Sequence, residues 1–219
     1  MRALVVGASG GIGGALVARL GERGLVVGLS RRVDGLDVTD EASVAEVLGR
    51  LDGMFDLVVV ATGALEIGGA GPEKTLRALD AGTMAAQFVL NAIGPTLVMK
   101  HVLRLLPKDR GVRVGVLSAR VGSIGDNGLG GWYSYRAAKA ALNQLIHTAS
   151  IEVARSHPMA VLAALHPGTV ATGLTAAYAG GHAVVTPDQA AVNLLAVLDG
   201  LTPAETGGFF DWSGARVPW

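Results

Sequence analysis

The sequence predicts an α/β fold, a doubly wound and mostly parallel sheet flanked by helices. Three observations predict it. Five short runs are almost wholly apolar, as strands covered on both faces must be. Longer stretches of helical spacing alternate with those runs. Glycine, 32 of 219 residues, gathers just after several of them, where the chain has to turn tightly.

The elements follow in order. Ala3–Val6 reads as the first strand and Ile12–Arg23 as the helix after it; Leu25–Leu29 is the second strand. Glu41–Leu51 has helical spacing, Leu57–Val60 is a strand, and Leu76–Leu106 reads as one long helix. Val112–Leu117 is the fourth strand, Tyr135–Arg155 a helix and Ala160–Leu165 the fifth strand. Thr186 is placed to cap a helix opened by Pro187 and running to Leu198, because proline is at ease only at a helix start. A sixth, weaker strand is predicted near Gly208–Phe210. Two glycine-rich stretches, Gly63–Gly71 and Thr172–Val185, lack periodicity and follow strands; the second reads as a substrate lid. Without a linker or repeat, residues 1–219 read as one domain.

Composition excludes several functions. Lysine plus arginine, 18, balances aspartate plus glutamate, 18, so the basic face of a phosphate-backbone binder is missing and no nucleic-acid partner is expected. With no cysteine there is no disulfide, thiolate site or cysteine nucleophile; a cytoplasmic location is compatible and is expected. His101, His147, His157, His166 and His182 show no paired ligand spacing, so no metal is expected. The most continuous apolar stretch, Leu57–Ala61, is far below the roughly 20 residues that span a bilayer, and no membrane partner is expected.

Chemistry begins at Gly7-Ala8-Ser9-Gly10-Gly11-Ile12-Gly13, directly between a strand and a helix. Glycines at 7, 11 and 13 let the backbone turn and approach a pyrophosphate, which the helix N-terminus then attracts. This makes Gly7, Ser9, Gly11, Ile12 and Gly13 candidate contacts of a dinucleotide in a Rossmann-type domain; the alternative is a tight turn without ligand. At the end of the second strand, where an acidic residue would meet a free ribose hydroxyl, stand Ser30-Arg31-Arg32. Two guanidiniums suit a 2′-phosphate, so NADP(H) is favoured over NAD unless they form a merely solvated turn. Asp37, followed by Val38, is placed either to accept from an adenine amino group or to cap the next helix.

Tyr135 and Lys139 stand four residues apart, hence on one face of a helix. A cation beside a phenol stabilises its anion and brings it towards the range of a general acid or base. Downstream comes His166-Pro167-Gly168-Thr169-Val170-Ala171-Thr172.

The glycine loop, Asp37-Val38, Tyr135 with Lys139, and Pro167-Gly168-x-Val170-x-Thr172, in that order, resemble the short-chain dehydrogenase/reductases over essentially the whole chain. More narrowly, Ser118–Ser123, Gly131–Arg136 and the ending Val217-Pro218-Trp219 resemble the C-factor and sniffer-type carbonyl reductase branch. The resemblance implies hydride transfer between NADP(H) and a small-molecule carbonyl or alcohol. Tyr135 would be the general acid or base, and Lys139 would lower its pKa and hold the nicotinamide ribose. Asn91 would hold a water in a proton relay, while Pro167, Gly168, Val170 and Thr172 would line the nicotinamide. Relatives pair the helices at Leu76–Leu106 and Tyr135–Arg155 between subunits, implying a homo-oligomer, dimer or tetramer.

Two departures from the family pattern stand out. After the third strand the chain reads Val60-Ala61-Thr62-Gly63 in place of Asn-Asn-Ala-Gly; Gly63 still permits close backbone approach. Where the family has its carbonyl-polarising serine stands Ala119. Ser123 is the expected substitute, since Ser118 points to the other side of the strand by alternation. Trp132 and Tyr133 wall an apolar pocket or pack an interface. The rival reading is a non-catalytic NADP(H) sensor whose lost serine marks lost chemistry.

Overall fold

The computed structural model describes residues 1–173 and 184–219. Six parallel strands lie in the order β2-β1-β3-β4-β5-β6: β1 Arg2–Val6, β2 Leu25–Leu29, β3 Leu57–Val60, β4 Val112–Leu117, β5 Ala160–His166 and β6 Gly208–Asp211. The five strands predicted from apolar runs and the sixth predicted near Gly208–Phe210 are all present, with ends within a residue.

Side chains alternate across the sheet, so one face presents Leu4, Val6, Val58, Val60, Val114 and Val116, and the other Ala3, Val5, Leu57 and Val59. The first face packs on α3 (Glu41–Gly49), α5 (Gly94–Val102) and α6 (Tyr133–Ala154); the second packs on α1 (Gly11–Gly21) and α7 (Pro187–Gly200). Thr186 accepts from the Gln189 N–H at 3.1 Å, the cap expected before Pro187.

Two elements differ from expectation. A short helix α2, Arg31–Asp34, follows β2 because Ser30 Oγ accepts from the Val33 N–H at 3.2 Å and Gly35, at φ 72°, closes it in the left-handed region. The long helix predicted over Leu76–Leu106 is divided. A 3-10 turn at Leu76–Ala78 ends in extended Leu79, and Asp80 caps α4 (Ala81–Phe88) by accepting from Thr83 N–H at 2.7 Å. A π turn spans Val89–Ile93, with the Gly94 N–H bonded to the Val89 carbonyl, before α5 begins. Pro95 has no N–H to offer the Asn91 carbonyl, which is a local reason for the ladder to change register there.

The run Ala81–Leu105 is long and apolar enough, by length and composition, to cross a membrane. Here it turns Ala92, Val98, Met99, Val102 and Leu105 into the core. The glycine-rich stretch expected to form a lid over Thr172–Val185 falls mostly on residues outside those described.

Candidate active site

Between β1 and β3 the strand order reverses, and connections leaving in opposite directions open a crevice at the C-terminal edge of the sheet. A cleft of about 800 Å³ occupies that edge, a size suited to a cofactor with a small molecule. Gly11, Ile12 and Gly13 border it after β1, Thr62 and Gly63 after β3, and Ser118 to Val121 after β4. Pro167, Gly168, Val170 and Thr172 close the side after β5, and Tyr135, Arg136 and Lys139 enter from the start of α6.

The glycine loop is built by contact with its neighbours. Gly7 and Ala8 donate to the Leu29 carbonyl at 2.8 and 3.0 Å, tying the loop to the end of β2. A Cβ on Gly13 would sit 2.1 Å from the Gly7 carbonyl oxygen, and one on Gly7, at φ 95°, 2.6 Å from the Ala61 oxygen. Gly7 and Gly13 are therefore required by the turn itself. Ser9 is exposed at the loop's tip and, like Gly7, does not border the cleft.

Arg31 and Arg32 lie just beyond Leu29, exposed, and neither makes an ion pair among the described residues. They flank the glycine loop without reaching the main cleft. Asp37 accepts from the Thr39 hydroxyl and N–H at 2.6 and 2.9 Å, which with the nearby Arg31 charge holds its carboxyl below the usual range. The alternative that Asp37 caps α3 is not what forms: Asp40 does so, accepting from the Ala42 N–H at 3.0 Å. Val38 is buried, with its carbonyl and side chain against Gly94.

Tyr135 and Lys139 are both buried at the cleft, 8% and 3% exposed. The Lys139 ammonium lies 5.8 Å from the Tyr135 ring centre and donates to the Leu117 carbonyl at 3.0 Å. Burial pushes the phenol up to about 12 and the ammonium down to about 8. Desolvation is the cause of both shifts, each disfavouring the charged form of its group.

Asn91 sits in the π turn, wholly buried. Its Oδ1 accepts from the Ala64 N–H at 3.1 Å, and its Nδ2 donates to the Ala64 carbonyl at 2.9 Å and to Gln87 Oε1 at 2.6 Å. The side chain thereby clamps the loop after β3. A Cβ on Gly63 would lie 2.7 Å from Asn91 Oδ1 and 3.4 Å from Lys139 Nζ, so these two residues flank the Gly63 backbone.

The expectation for Ser123 is corrected. Its hydroxyl is buried in the turn after β4, accepts from the Asp126 N–H at 3.1 Å, and does not border the cleft. Ser118 does border it, but gives its proton to Asn143 Oδ1 at 2.6 Å. Thr62 Oγ1 and His166 Nδ1, both from cleft residues, are buried and have no hydrogen-bond partner among the described residues. Unpaired buried polar atoms are costly, so they fit a cleft that receives a polar ligand.

Sequence reasoning missed Glu73 altogether. It is 8% exposed, and its carboxylate accepts from both the hydroxyl and the N–H of Ser134, while its carbonyl accepts from the Trp132 N–H at 2.5 Å. It thus fixes the first turn of α6, where Trp132 takes φ 54° and packs edge-on to Tyr135 at 6.3 Å. Nothing local marks it, for the partners are 61 residues apart. Arg120 and Arg136, also unmarked by spacing, border the cleft as well.

Comparison with known proteins agrees with this architecture. The chain is 34% identical to the 1-hydroxy-2-glutathionyl-2-methyl-3-butene dehydrogenase of Rhodococcus sp. (strain AD45), covering 99% of this chain and 98% of that one. It is 35% identical to the C-signal protein of Myxococcus xanthus over 73% of this chain and 96% of that one. A short-chain dehydrogenase/reductase of Burkholderia multivorans, solved with bound NADP, superposes with a TM-score of 0.82 at 25% identity, over 100% of this chain and 99% of that one. A model of the short chain dehydrogenase family matches residues 33–181, and with the near full-length relative it shows that the chain belongs to that family of oxidoreductases.

Proposed function

We propose that this protein transfers hydride between NADP(H) and the carbon of a carbonyl or alcohol, with Tyr135 as general acid or base. The observation that carries the reading is the buried Tyr135–Lys139 pair at a cleft that Gly11, Ile12 and Gly13 of the glycine loop also border. NADPH supplies the hydride when bound. Gly11, Ile12 and Gly13 present backbone to its pyrophosphate, with Gly7 and Ser9 shaping the loop. Arg31 and Arg32, flanking that loop and free of ion pairs, hold the 2′-phosphate, as the relative solved with NADP makes reasonable. Asp37 and Val38 border the adenine, and Gly63, Pro167, Gly168, Val170 and Thr172 the nicotinamide half.

In the reductive direction Tyr135 gives its phenolic proton to the carbonyl oxygen as hydride reaches the carbon. Lys139, already turned to the cleft, stabilises the phenolate left behind and holds ribose hydroxyls. Asn91 keeps the loop after β3 in register with Lys139. The Rhodococcus relative, whose name describes a hydroxyl-bearing substrate, supports alcohol–carbonyl chemistry. We further propose that residues 1–219 act as one domain and assemble as a dimer or tetramer through α4, α5 and α6, which light scattering tests.

The deciding experiment is titration with NADPH and NADH followed by turnover of Tyr135→Phe. Preferential NADPH binding, with most turnover lost in the variant and affinity kept, supports the reading; unchanged turnover refutes it. A second reading, a dinucleotide sensor without chemistry, is favoured by Ala119, and predicts NADPH binding without oxidation by any carbonyl.

A further inference from the structure

The charged and titratable side chains bordering the cleft are unbalanced: Arg120, Arg136, Lys139 and His166 stand there beside Tyr135, with no aspartate or glutamate among the described residues of its border. Three of them are accounted for. Lys139 belongs to the proposed chemistry. Arg120 is met by Asp126 at 2.5 Å and Asp211 at 3.3 Å. His166 is held neutral, its pKa pushed down to about 4 by burial and by the Arg120 charge.

Arg136 is different. Its Nε donates to the Gly131 carbonyl at 3.0 Å and its Nη1 to the Val121 carbonyl at 3.2 Å, so it ties the turn after β4 to the segment that leads into α6. No carboxylate lies within ion-pair distance among the described residues, and Nη2 donates to none of them. A guanidinium fixed by two neutral carbonyls keeps a full positive charge and an open edge, a geometry suited to a carboxylate. Val121, Leu129 and Trp132 add apolar surface to the border of the same cleft.

We propose that Arg136 is an anion-recognition residue, and that the preferred substrate carries a carboxylate joined to its carbonyl or alcohol through an apolar body. The inference deepens the proposed oxidoreductase reading and rests on it for the word substrate, but not for the anion site itself. The carboxylate seats on Arg136, one residue along α6 from Tyr135, while apolar walls take the body between. Arg120, already neutralised by its two aspartates, contributes less.

Two measurements test this, the first of them separately from catalysis. Calorimetric titration with benzoate and with benzamide, matched in shape but not in charge, is made on the protein with NADP+ present. Benzoate is expected to bind about tenfold or more tightly, as a charged hydrogen bond of this kind supplies, and the preference is expected to shrink at high salt. Arg136→Gln should erase the preference, Arg136→Lys should keep part of it, and Arg120→Gln should keep most of it. The second measurement compares kcat/KM for 4-acetylbenzoate and its methyl ester. A preference for the acid that Arg136→Lys reduces supports the proposal.

Equal affinity for benzoate and benzamide, or a preference that survives Arg136→Gln, overturns it. Because Arg136 also ties two loops, a Gln variant that fails to fold is replaced by the Lys variant and the salt dependence, either of which still decides. Benzoate preference without turnover of any carbonyl sustains the anion site and tells against the reductase reading. Turnover of acid and ester alike, with no benzoate preference, does the opposite.

Discussion

Ser134 donates both its hydroxyl and its backbone N–H, the latter at 3.2 Å, to the buried carboxylate of Glu73, 61 residues earlier in the chain. A negative charge at the N-terminus of the 22-residue α6 complements the helix dipole and satisfies donors that no helix can satisfy for itself. Burial alone would raise the Glu73 carboxyl, but the Ser134 donors outweigh it and hold it below the ordinary range. Glu73→Ala is therefore expected to cost about 1–3 kcal/mol in urea unfolding, with Glu73→Gln milder. The sign in pH follows. A carboxyl lowered in the folded state contributes stability above its unfolded pKa and loses it as pH falls through the folded value. The gap between wild type and Glu73→Gln should thus close in acid; a gap that persists there would mean that the charge is not what stabilises the turn.

Ala119→Ser is expected to raise turnover. The two serines nearest the strand end are committed elsewhere, Ser118 to Asn143 and Ser123 to the Asp126 N–H. A hydroxyl at 119, on the cleft border, would add a donor to the carbonyl oxygen, and such donors are worth on the order of 100-fold. Steady-state rates on one carbonyl substrate check this. An unchanged kcat would mean that another group, such as the Thr62 hydroxyl, which has no partner among the described residues, already fills the role.

What the sequence made readable, and what it did not, divides on physical grounds. Strand runs such as Leu57–Val60 are apolar because both faces are buried, so composition alone located them. Tyr135 and Lys139 came from a helical spacing, and the structure does set both at one cleft. The break in the helix over 76–106 depends on Asp80 acting as a cap and on the π turn before Pro95, signals that are present but weak against a continuous apolar pattern. Ser123 went astray because alternation along a strand says nothing once the chain enters a 3-10 turn at Arg120–Gly122. Glu73, and the uncompensated charge of Arg136, are tertiary facts with no local trace.

Glycines in the first loop should separate by function. Gly13→Ala would press a methyl to 2.1 Å from a backbone carbonyl, which has no rotamer with which to yield, so a loss of several kcal/mol or failure to fold is expected. Gly11→Ala would press on the Thr172 methyl at 2.9 Å, with Pro187 at an ordinary contact of 3.6 Å, and a side chain can move. That variant is expected to keep its melting temperature within a few degrees and to weaken NADPH binding about tenfold or more, since Gly11 borders the cleft. Thermal melts and nucleotide titration on both variants check the split; a Gly11→Ala that binds normally would remove Gly11 from the cofactor site.

Lys139 gives the sharpest pH dependence. Its ammonium is lowered by burial from 10.5 to about 8, so below pH 8 the folded state bears the cost of a desolvated charge that the unfolded chain solvates freely. Between pH 8 and 10.5 the unfolded chain binds more protons than the folded one, and stability therefore rises with pH in that window. Tyr135, raised from 10.0 to about 12, works in the opposite sense, but only above pH 10, so measurements at pH 7.5 and 9.5 isolate the lysine. Urea midpoints should increase between those two values by an amount equivalent to at most about 2 kcal/mol. In Lys139→Met the rise should vanish, and the variant should be at least as stable as wild type at pH 7.5 while losing turnover. A Met variant that is less stable at pH 7.5 would mean that the bond from Nζ to the Leu117 carbonyl outweighs the desolvation it offsets.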